Sequence, residues 1–219
     1  MNILITGANR GIGLALTQLY RSHNHDVIAA VRKSSETLND SGARVIDGID
    51  VRNDADMKTL VEQLNGTSLD LMILNAGLMI PDDIGDVRMT DVQQQIEVNA
   101  IGPLRVTHAL LPSMNEGSKI AIITSRMGSL SDNSSGGFYG YRMSKAAVNA
   151  FGVSLALDLK AHEISVAILH PGFVRTDMTG GHGQIETEVS AQGLAARIEA
   201  LTLDTSGQFL HMNGEPLGW

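Results

Sequence analysis

Short apolar runs rich in β-branched residues alternate with longer helical patterns along this chain of 219 residues. Such alternation predicts βα units and a parallel sheet. The runs are apolar at successive positions, as in Ile120–Ile123, which is typical of strands covered by helices on both faces. We therefore predict an α/β fold built as a three-layer sandwich. Strands are predicted at Asn2–Thr6, Asp26–Val31, Arg44–Ile46, Leu69–Leu74, Lys119–Thr124, Ile164–Leu169 and Gln208–Met212, and helices at about 11–22, 54–65, 90–114, 139–161 and 187–202, with Asp54 and Thr90 as N-caps.

The length and charge of the chain narrow its classes of partner. We expect one domain covering residues 1–219. The formal net charge of −8 argues against nucleic acid or an anionic membrane as the main partner. The chain contains no cysteine, which excludes disulfides and thiolate chemistry, and no spacing of histidines and carboxylates predicts a metal site. No signal-peptide core or membrane-spanning run is present, so we expect a cytoplasmic protein.

A glycine-rich loop, Thr6–Gly13, separates the first predicted strand from the first predicted helix. In that position Gly7 allows a tight turn, Gly11 lets the backbone approach a pyrophosphate, and Gly13 lets the helix pack closely on the strand. The N–H groups of the helix start would face the anion. The loop therefore predicts a dinucleotide-binding site.

Basic residues occupy the place that distinguishes NAD from NADP. An NAD site carries an acidic side chain near the end of the second strand, whereas this chain has Arg32 and Lys33 there. A guanidinium forms charge-assisted hydrogen bonds to a 2′-phosphate, and we expect Arg10 to approach the same group from the glycine loop. The sequence thus favours NADP(H).

Tyr141 and Lys145 stand four residues apart on a predicted helix and so share one helical face. A neighbouring ammonium favours the phenolate, so we expect Lys145 to lower the pKa of Tyr141 towards neutrality and make it an acid/base catalyst. Ser125, at the end of the fifth predicted strand, is placed to hydrogen-bond a substrate oxygen. Asn99 is a poor helix former inside the helix predicted at 90–114, so it either faces solvent or holds a polar contact such as a water near Lys145.

In their order along the chain, these motifs resemble the short-chain dehydrogenase/reductase family. The residues that carry the resemblance are Thr6–Gly13, Asp50 with Val51, Asn75 with Ala76 and Gly77, Asn99, Ser125, Tyr141 with Lys145, and Pro171 with Gly172. The resemblance implies a doubly wound Rossmann sheet of seven parallel strands, a homo-oligomer, and the catalytic residues Asn99, Ser125, Tyr141 and Lys145. It also implies a cofactor site made by Gly7, Asn9, Arg10, Gly11, Ile12, Gly13, Arg32, Asp50, Val51, Asn75, Ala76, Gly77, Tyr141, Lys145, Pro171, Gly172, Val174 and Thr176.

Two features separate the chain from most of that family. Ser125 and Tyr141 are 16 residues apart, a wider spacing than usual, so Ser129 or Ser131 are alternative catalytic hydroxyls. The short lid after Pro171 and the ending from Gly207 to Trp219 are similar to the branch of C-factor-like and sniffer-like carbonyl reductases. The loops 126–138 and 172–183, rich in glycine and serine, are expected to wall the substrate pocket.

The function implied is an NADP(H)-dependent oxidoreductase that transfers hydride between nicotinamide and a small carbonyl or alcohol substrate. An alternative is an NAD(P)H-binding regulatory or signalling protein with little turnover, since the branch includes proteins described as signals. A serine hydrolase would need a GxSxG elbow, which the chain lacks.

Overall fold

Seven parallel strands form the centre of the computed structural model, which describes residues 1–219. The strands are β1 (Asn2–Thr6), β2 (Asp26–Ala30), β3 (Arg44–Ile46), β4 (Leu69–Leu74), β5 (Met114–Ile123), β6 (Ser165–His170) and β7 (Phe209–His211). Their order across the sheet is β3-β2-β1-β4-β5-β6-β7, and every neighbouring pair is parallel. The predicted doubly wound Rossmann fold is confirmed. The strand order reverses between β1 and β4, which is where ligands bind in open parallel sheets.

Seven α-helices cover the two faces of this sheet. They are α1 (Gly11–Ser22), α2 (Glu36–Asn39), α3 (Asp54–Leu64), α4 (Met89–Ile96), α5 (Gly102–Leu110), α6 (Tyr139–Leu159) and α7 (Thr187–Ala200). A π-helical turn, Glu97–Ile101, joins α4 to α5, and 3₁₀ turns include Arg126–Gly128 and Asp177–Thr179. No helix combines the length and the hydropathy needed to span a membrane.

Each face of the sheet has its own hydrophobic core. Alternate residues of a strand point to opposite faces, so Leu4 of β1 packs in one core while Ile3 and Ile5 pack in the other. The first core includes Val106 of α5 and Val148 of α6, and the second lies beneath α1 and α7. Because both faces are covered, the strands read as continuous apolar runs.

The helix predicted over 90–114 is present, but it is not one regular α-helix. The chain there forms α4, the π-helical turn and α5, then turns sharply and enters β5 at Met114. Asn99 lies inside the π-helical turn, where an extra residue per turn re-aims its side chain, and π-helical turns concentrate at functional sites.

Both predicted N-caps are wrong. Asn53 caps α3 by accepting a hydrogen bond from the Ala55 N–H, so Asp54 is the first residue inside the helix. Helix α4 has Arg88 at its N-cap without a capping side chain, and Thr90 falls inside it. The short helix α2, which we did not predict, is capped by the Ser35 side chain. Elements this short carry too little periodicity to be found from sequence.

Candidate active site and nucleotide cleft

A cleft of about 740 Å³ opens where the strand order reverses, at the carboxyl ends of β1 and β4. Most of the predicted cofactor residues line it: Gly7, Asn9, Arg10, Gly11, Ile12, Gly13, Arg32, Asp50, Val51, Asn75, Ala76, Gly77 and Thr176. Tyr141, Lys145, Pro171, Gly172 and Val174 lie outside this lining. The sequence therefore located the cleft, and the predicted catalytic residue Lys145 lies beside its Gly77 end.

Glycine is required at two positions of the loop that forms the cleft floor. Gly7 has φ +67°, and a methyl group there would lie 2.8 Å from the Ala76 Cα. At Gly13 a methyl group would lie 2.4 Å from the Gly7 carbonyl oxygen and 2.5 Å from the Asn75 Nδ2. Side chains at these positions would push the loop away from the end of β4. With glycine there, the loop lies close to β4 and leaves the cleft open.

The start of α1 offers free backbone donors to this space. Its N-cap, Arg10, provides no capping side chain, and its first turn contains no acidic residue. Unpaired N–H groups and the positive end of the helix dipole together attract an anion. The glycine loop and this helix start thus fit the pyrophosphate of a dinucleotide.

Thr6 and Asn75 brace the loop from behind. The Thr6 hydroxyl accepts hydrogen bonds from the N–H groups of Asn75 and Ala76, both at 3.1 Å. The Asn75 amide donates to the carbonyls of Thr6 and Gly7, at 3.1 and 3.0 Å. These four bonds fix the ends of β1 and β4 to each other, so the cleft floor is rigid.

The charged end of the cleft differs in part from the prediction. Arg32 lines the cleft, whereas Arg10 forms a salt bridge of 2.8 Å with Asp177 of the lid. Asp50 is paired with Arg52, which lowers the pKa of the Asp50 carboxyl. Sequence reasoning missed Arg52 because the pair depends on a local turn that no motif marks.

Ser35 is a second residue of this end that the sequence did not reveal. Its hydroxyl donates to the Asn9 carbonyl at 2.7 Å and accepts from the Leu38 N–H at 3.2 Å. This pair of bonds docks the start of α2 against the glycine loop beside Arg32. Ser35 and Arg32 both line the cleft.

The lid after β6 touches the cleft through Thr176. A methyl group at Gly11 would lie 3.4 Å from the Thr176 Cγ2, an ordinary contact. Val174 is buried and bridges to Ile185. Behind it, the Ser190 hydroxyl donates to the Pro171 carbonyl at 2.7 Å, and Gly172 adopts φ +87°. These contacts fold the lid back over the glycine loop.

Tyr141 lies in the first turn of α6 and is 7% exposed. Burial raises the pKa of its phenol to about 12, while the neighbouring Ser125 hydroxyl acts in the opposite direction. This shift is opposite to the one predicted from the sequence, because removal of the phenolate from water outweighs the hydrogen bond from Ser125. The phenol is therefore protonated at neutral pH and suited to donate a proton.

Lys145 is buried one turn further along α6. Its ammonium donates to the Ile123 carbonyl at 3.0 Å and lies 5.7 Å from the centre of the Tyr141 ring. Burial lowers the pKa of Lys145 to about 8, so the side chain is still mostly charged at pH 7. The predicted pairing of tyrosine and lysine on one helical face is present.

Ser125 lies just beyond β5 rather than within it. Its hydroxyl oxygen accepts from the Met127 N–H at 3.1 Å and caps the short 3₁₀ turn, which leaves its O–H free to donate. The alternatives are engaged elsewhere. Ser129 contacts the Ser131 hydroxyl at 3.3 Å and accepts from the Asp132 N–H, and the Ser131 N–H donates to the Trp219 carbonyl.

Asn99 is 1% exposed, and its side chain has three partners. The Oδ1 accepts from the Leu78 N–H, and the Nδ2 donates to the Leu78 carbonyl and the Ser144 hydroxyl, at 2.8, 2.8 and 2.9 Å. The solvent-facing option for Asn99 is excluded. Ser144, which we did not predict, also donates to the Tyr141 carbonyl at 2.7 Å and so links Asn99 to the catalytic helix.

The cleft and the catalytic side chains meet at Gly77. This residue lines the cleft, and a methyl group in place of its α-hydrogen would lie 3.2 Å from the Asn99 Oδ1 and 3.8 Å from the Lys145 Nζ. A ligand along the cleft therefore ends beside Asn99 and Lys145. This is the arrangement that reaction between a nucleotide and a second molecule requires.

Comparisons with known proteins agree with this geometry. The short chain dehydrogenase family profile matches residues 1–186. A curated relative, 1-hydroxy-2-glutathionyl-2-methyl-3-butene dehydrogenase of Rhodococcus sp. (strain AD45), is 41% identical over 223 residues, which cover 99% of both chains. The carbonyl reductase Sniffer of D. melanogaster superposes with a TM-score of 0.90 at 29% identity and covers 100% of this chain and 99% of its own.

A short-chain dehydrogenase/reductase from Burkholderia multivorans, solved with bound NADP, superposes with a TM-score of 0.92 at 28% identity over 100% of this chain and 99% of its own. These matches confirm the family resemblance drawn from the motifs, including its sniffer-like branch.

Proposed function

The chain belongs to the short-chain dehydrogenase family of oxidoreductases, and on that premise we propose that residues 1–219 form one domain that reduces aldehydes or ketones with NADPH. One observation carries the proposal. A buried, protonated Tyr141 stands beside Ser125 and Lys145, and Gly77 joins this group to a cleft built for a dinucleotide. A carbonyl held there faces both a proton donor and the end of the cleft.

The residues divide the chemistry among themselves. A bound nicotinamide supplies hydride to the carbonyl carbon. The Ser125 hydroxyl, whose oxygen accepts from the Met127 N–H, donates its own hydrogen to the substrate oxygen and holds it. The Tyr141 phenol gives its proton to that oxygen as it becomes an alkoxide, and the charged Lys145 stabilises the phenolate left behind. Asn99 keeps the segment that carries Gly77 in place.

Several features support NADP(H) as the cofactor. Arg32 and Lys33 line the cleft where an acidic residue would favour NAD. The hydroxyl of Ser35 lies at the same end. Solved relatives with the same fold, such as the protein from Burkholderia multivorans, bind NADP. Arg10 also lines the cleft, and its salt bridge with Asp177 is solvent-exposed.

The substrate is a small molecule whose carbonyl enters between the two loops that flank the catalytic residues. The loop 126–138 is tied by a salt bridge between Arg126 and Asp132, and the lid 172–183 is tied by its 3₁₀ turn at Asp177–Thr179. The Rhodococcus relative is named for oxidation of an alcohol and Sniffer for reduction of a carbonyl, which are two directions of one reaction.

The test follows NADPH absorbance at about 340 nm against a panel of aldehydes, ketones and quinones, with NADH in parallel. We expect consumption of NADPH with at least one class, and slower turnover with NADH. Consumption of neither cofactor with any member, despite tight NADPH binding, would favour the alternative of a regulatory protein. That alternative is not favoured, because Ser125, Tyr141 and Lys145 together serve catalysis and a sensor has no use for them.

We also propose that the chain forms a homo-oligomer in the cytoplasm. The resemblance implies pairing through the helices that carry the catalytic residues. The apolar side chains of Leu104 on α5 and Met143 and Leu157 on α6 are 50%, 54% and 70% exposed, which fits a covered surface. Sedimentation velocity on the purified chain tests the oligomeric state, and cell fractionation tests the cytoplasmic location.

A further inference from the structure

The helix that carries Tyr141 begins without a cap of its own. Phe138 occupies the N-cap position in the left-handed conformation, with φ 51° and ψ 42°, and provides no capping side chain. The first turn of α6 contains no acidic residue. Yet the first N–H groups of a helix need acceptors, and Tyr141 lies only two residues beyond the helix start. The acceptors must come from another part of the chain.

Asp82, in the loop between β4 and α4, supplies them. Its Oδ1 accepts from the Tyr139 N–H at 2.5 Å and its Oδ2 from the Gly140 N–H at 3.1 Å. Its main-chain carbonyl accepts from the Phe138 N–H at 2.9 Å. One half-buried residue thus holds three consecutive amides, and its charge complements the positive end of the α6 dipole.

The first turn of α6 is seated tightly against this anchor. A methyl group at Gly140 would lie 2.4 Å from the Gln95 Nε2, 3.1 Å from the Val92 Cα and 3.3 Å from the Asp82 Oδ2. Gln95 is fully buried, and its Oε1 accepts from the Ile80 N–H at 2.9 Å. The position of α6 relative to α4 therefore has little freedom at this end.

The anchored segment continues into the nucleotide cleft. Asn75 and Gly77 line the cleft, Leu78 is held by the Asn99 side chain, Ile80 by Gln95, and Asp82 reaches α6. Residues 75–82 thus form a continuous connection between the cofactor site and the catalytic helix.

We propose that Asp82 is a positioning residue for Tyr141: its three hydrogen bonds fix the start of α6 and so place the phenol relative to the substrate oxygen. This inference rests on the proposed function. Asp82 touches neither substrate nor cofactor and acts through α6. A displacement of the phenol by about 1 Å costs on the order of 100-fold in rate when proton donor and acceptor must align.

The test compares Asp82→Ala, Asp82→Asn and, as the matched control, Asp83→Ala. Asp83 is the exposed neighbour with the same charge, and its side chain accepts only from the Gly85 N–H within its own turn. We expect Asp82→Ala to lower kcat about 10- to 100-fold with the KM for NADPH within about twofold, and to raise the solvent isotope effect on kcat. Asp82→Asn keeps an acceptor oxygen and is expected to recover most of the rate. Asp83→Ala is expected to match the wild type.

Hydrogen exchange gives a readout independent of turnover. The amides of Tyr139 and Gly140, which lose their carboxylate acceptor, are expected to exchange faster in Asp82→Ala and not in Asp83→Ala. Unchanged kcat or unchanged exchange in Asp82→Ala would overturn the inference. It would also be overturned if the fall in kcat equalled the fall in the fraction of protein molecules that still bind NADPH, because the variant would then only be partly unfolded. If the wild type reduces no carbonyl, the proposed function itself fails and the role of Asp82 fails with it. If the wild type turns over and Asp82→Ala does so equally, only the role of Asp82 fails.

Discussion

The ammonium of Lys145 lies 5.7 Å from the centre of the Tyr141 ring and donates its hydrogen bond to the Ile123 carbonyl. The two side chains are both buried, and burial disfavours the charged form of each: the pKa of Tyr141 is raised to about 12 and that of Lys145 is lowered to about 8. A protonated phenol next to a cation is set to release a proton when an alkoxide forms. Carbonyl reduction uses this protonated form of the phenol as its proton donor.

Replacement of Tyr141 by Phe removes the proton donor and little else. We expect kcat for carbonyl reduction to fall by about 10²- to 10⁴-fold, the range for loss of a general acid, with NADPH affinity within about twofold of the wild type. Steady-state kinetics and fluorescence titration with NADPH measure the two quantities. Tyr139→Phe is the control, because Tyr139 lies on the same helix and is 37% exposed. Equal activity in both variants would refute the assignment.

Replacement of Lys145 by Met is expected to make the protein more stable and less active. The ordinary pKa of 10.5 is lowered to about 8 in the folded chain. Between about pH 8 and 10.5 the Lys145 side chain is therefore protonated in the unfolded chain and deprotonated in the folded chain. The free energy of unfolding of the wild type rises with pH through that window, because the unfolded state binds more protons. Below it the buried charge is a constant cost. We expect Lys145→Met to raise the free energy of unfolding by roughly 1–3 kcal/mol at pH 7 and to lose over about 100-fold in kcat.

Urea unfolding of both proteins at several pH values checks this prediction. The difference in free energy of unfolding between Lys145→Met and the wild type is expected to shrink as pH rises from about 8 to about 10.5. Lys160→Met, which removes an exposed lysine, is the control. A variant less stable than the wild type at pH 7, or a difference that does not change with pH, would contradict it.

Replacement of Ser125 by Ala distinguishes the candidate hydroxyls. Of the three serines, Ser125 is the one that hydrogen-bonds the Tyr141 phenol, so its loss is expected to lower kcat about 100-fold. Loss of its bond to Met127 is expected to cost about 1 kcal/mol in stability. Ser129→Ala removes a buried hydroxyl of the same loop and is expected to leave kcat within about threefold. Kinetics in which Ser129→Ala is the inactive variant would reassign the role.

Replacement of Arg32 by Ala is expected to weaken NADPH selectively. A hydrogen bond to a charged group contributes about 1.5–3 kcal/mol, so the KM for NADPH should rise about 10- to 100-fold while the KM for NADH stays within about twofold. Arg10→Ala should have the smaller effect, since Arg10 is paired with Asp177. Equal changes for the two cofactors would show that Arg32 does not read the 2′-phosphate.

Local patterns were enough to predict most of the framework. The bounds predicted for β1, β3 and β4 coincide with those observed, because each strand contains a short apolar run that is followed by a polar or glycine residue. The glycine loop was identified from its place between β1 and α1. The pairing of Tyr141 with Lys145 followed from helical spacing alone.

What the sequence did not reveal depends on contacts between distant segments. The cap on α6 comes from Asp82, which lies 57 residues before Tyr139. The salt bridge between Arg10 and Asp177 joins residues 167 apart. The rise in the pKa of Tyr141 reflects burial in the assembled site, which spacing along a helix does not report. The π-helical turn at Asn99 was likewise not predicted, since the partners of Asn99, Leu78 and Ser144, are distant in the sequence.

The most direct test of the account uses NADPH carrying deuterium at both C4 positions, with a carbonyl that the wild type consumes. Mass spectrometry of the product is expected to find one deuterium on the carbinol carbon for each NADPH oxidised. Tyr141→Phe is expected to form this product about 10²- to 10⁴-fold more slowly. An alcohol without deuterium at that carbon, or an equally productive Tyr141→Phe, would contradict hydride transfer to a carbonyl protonated by Tyr141.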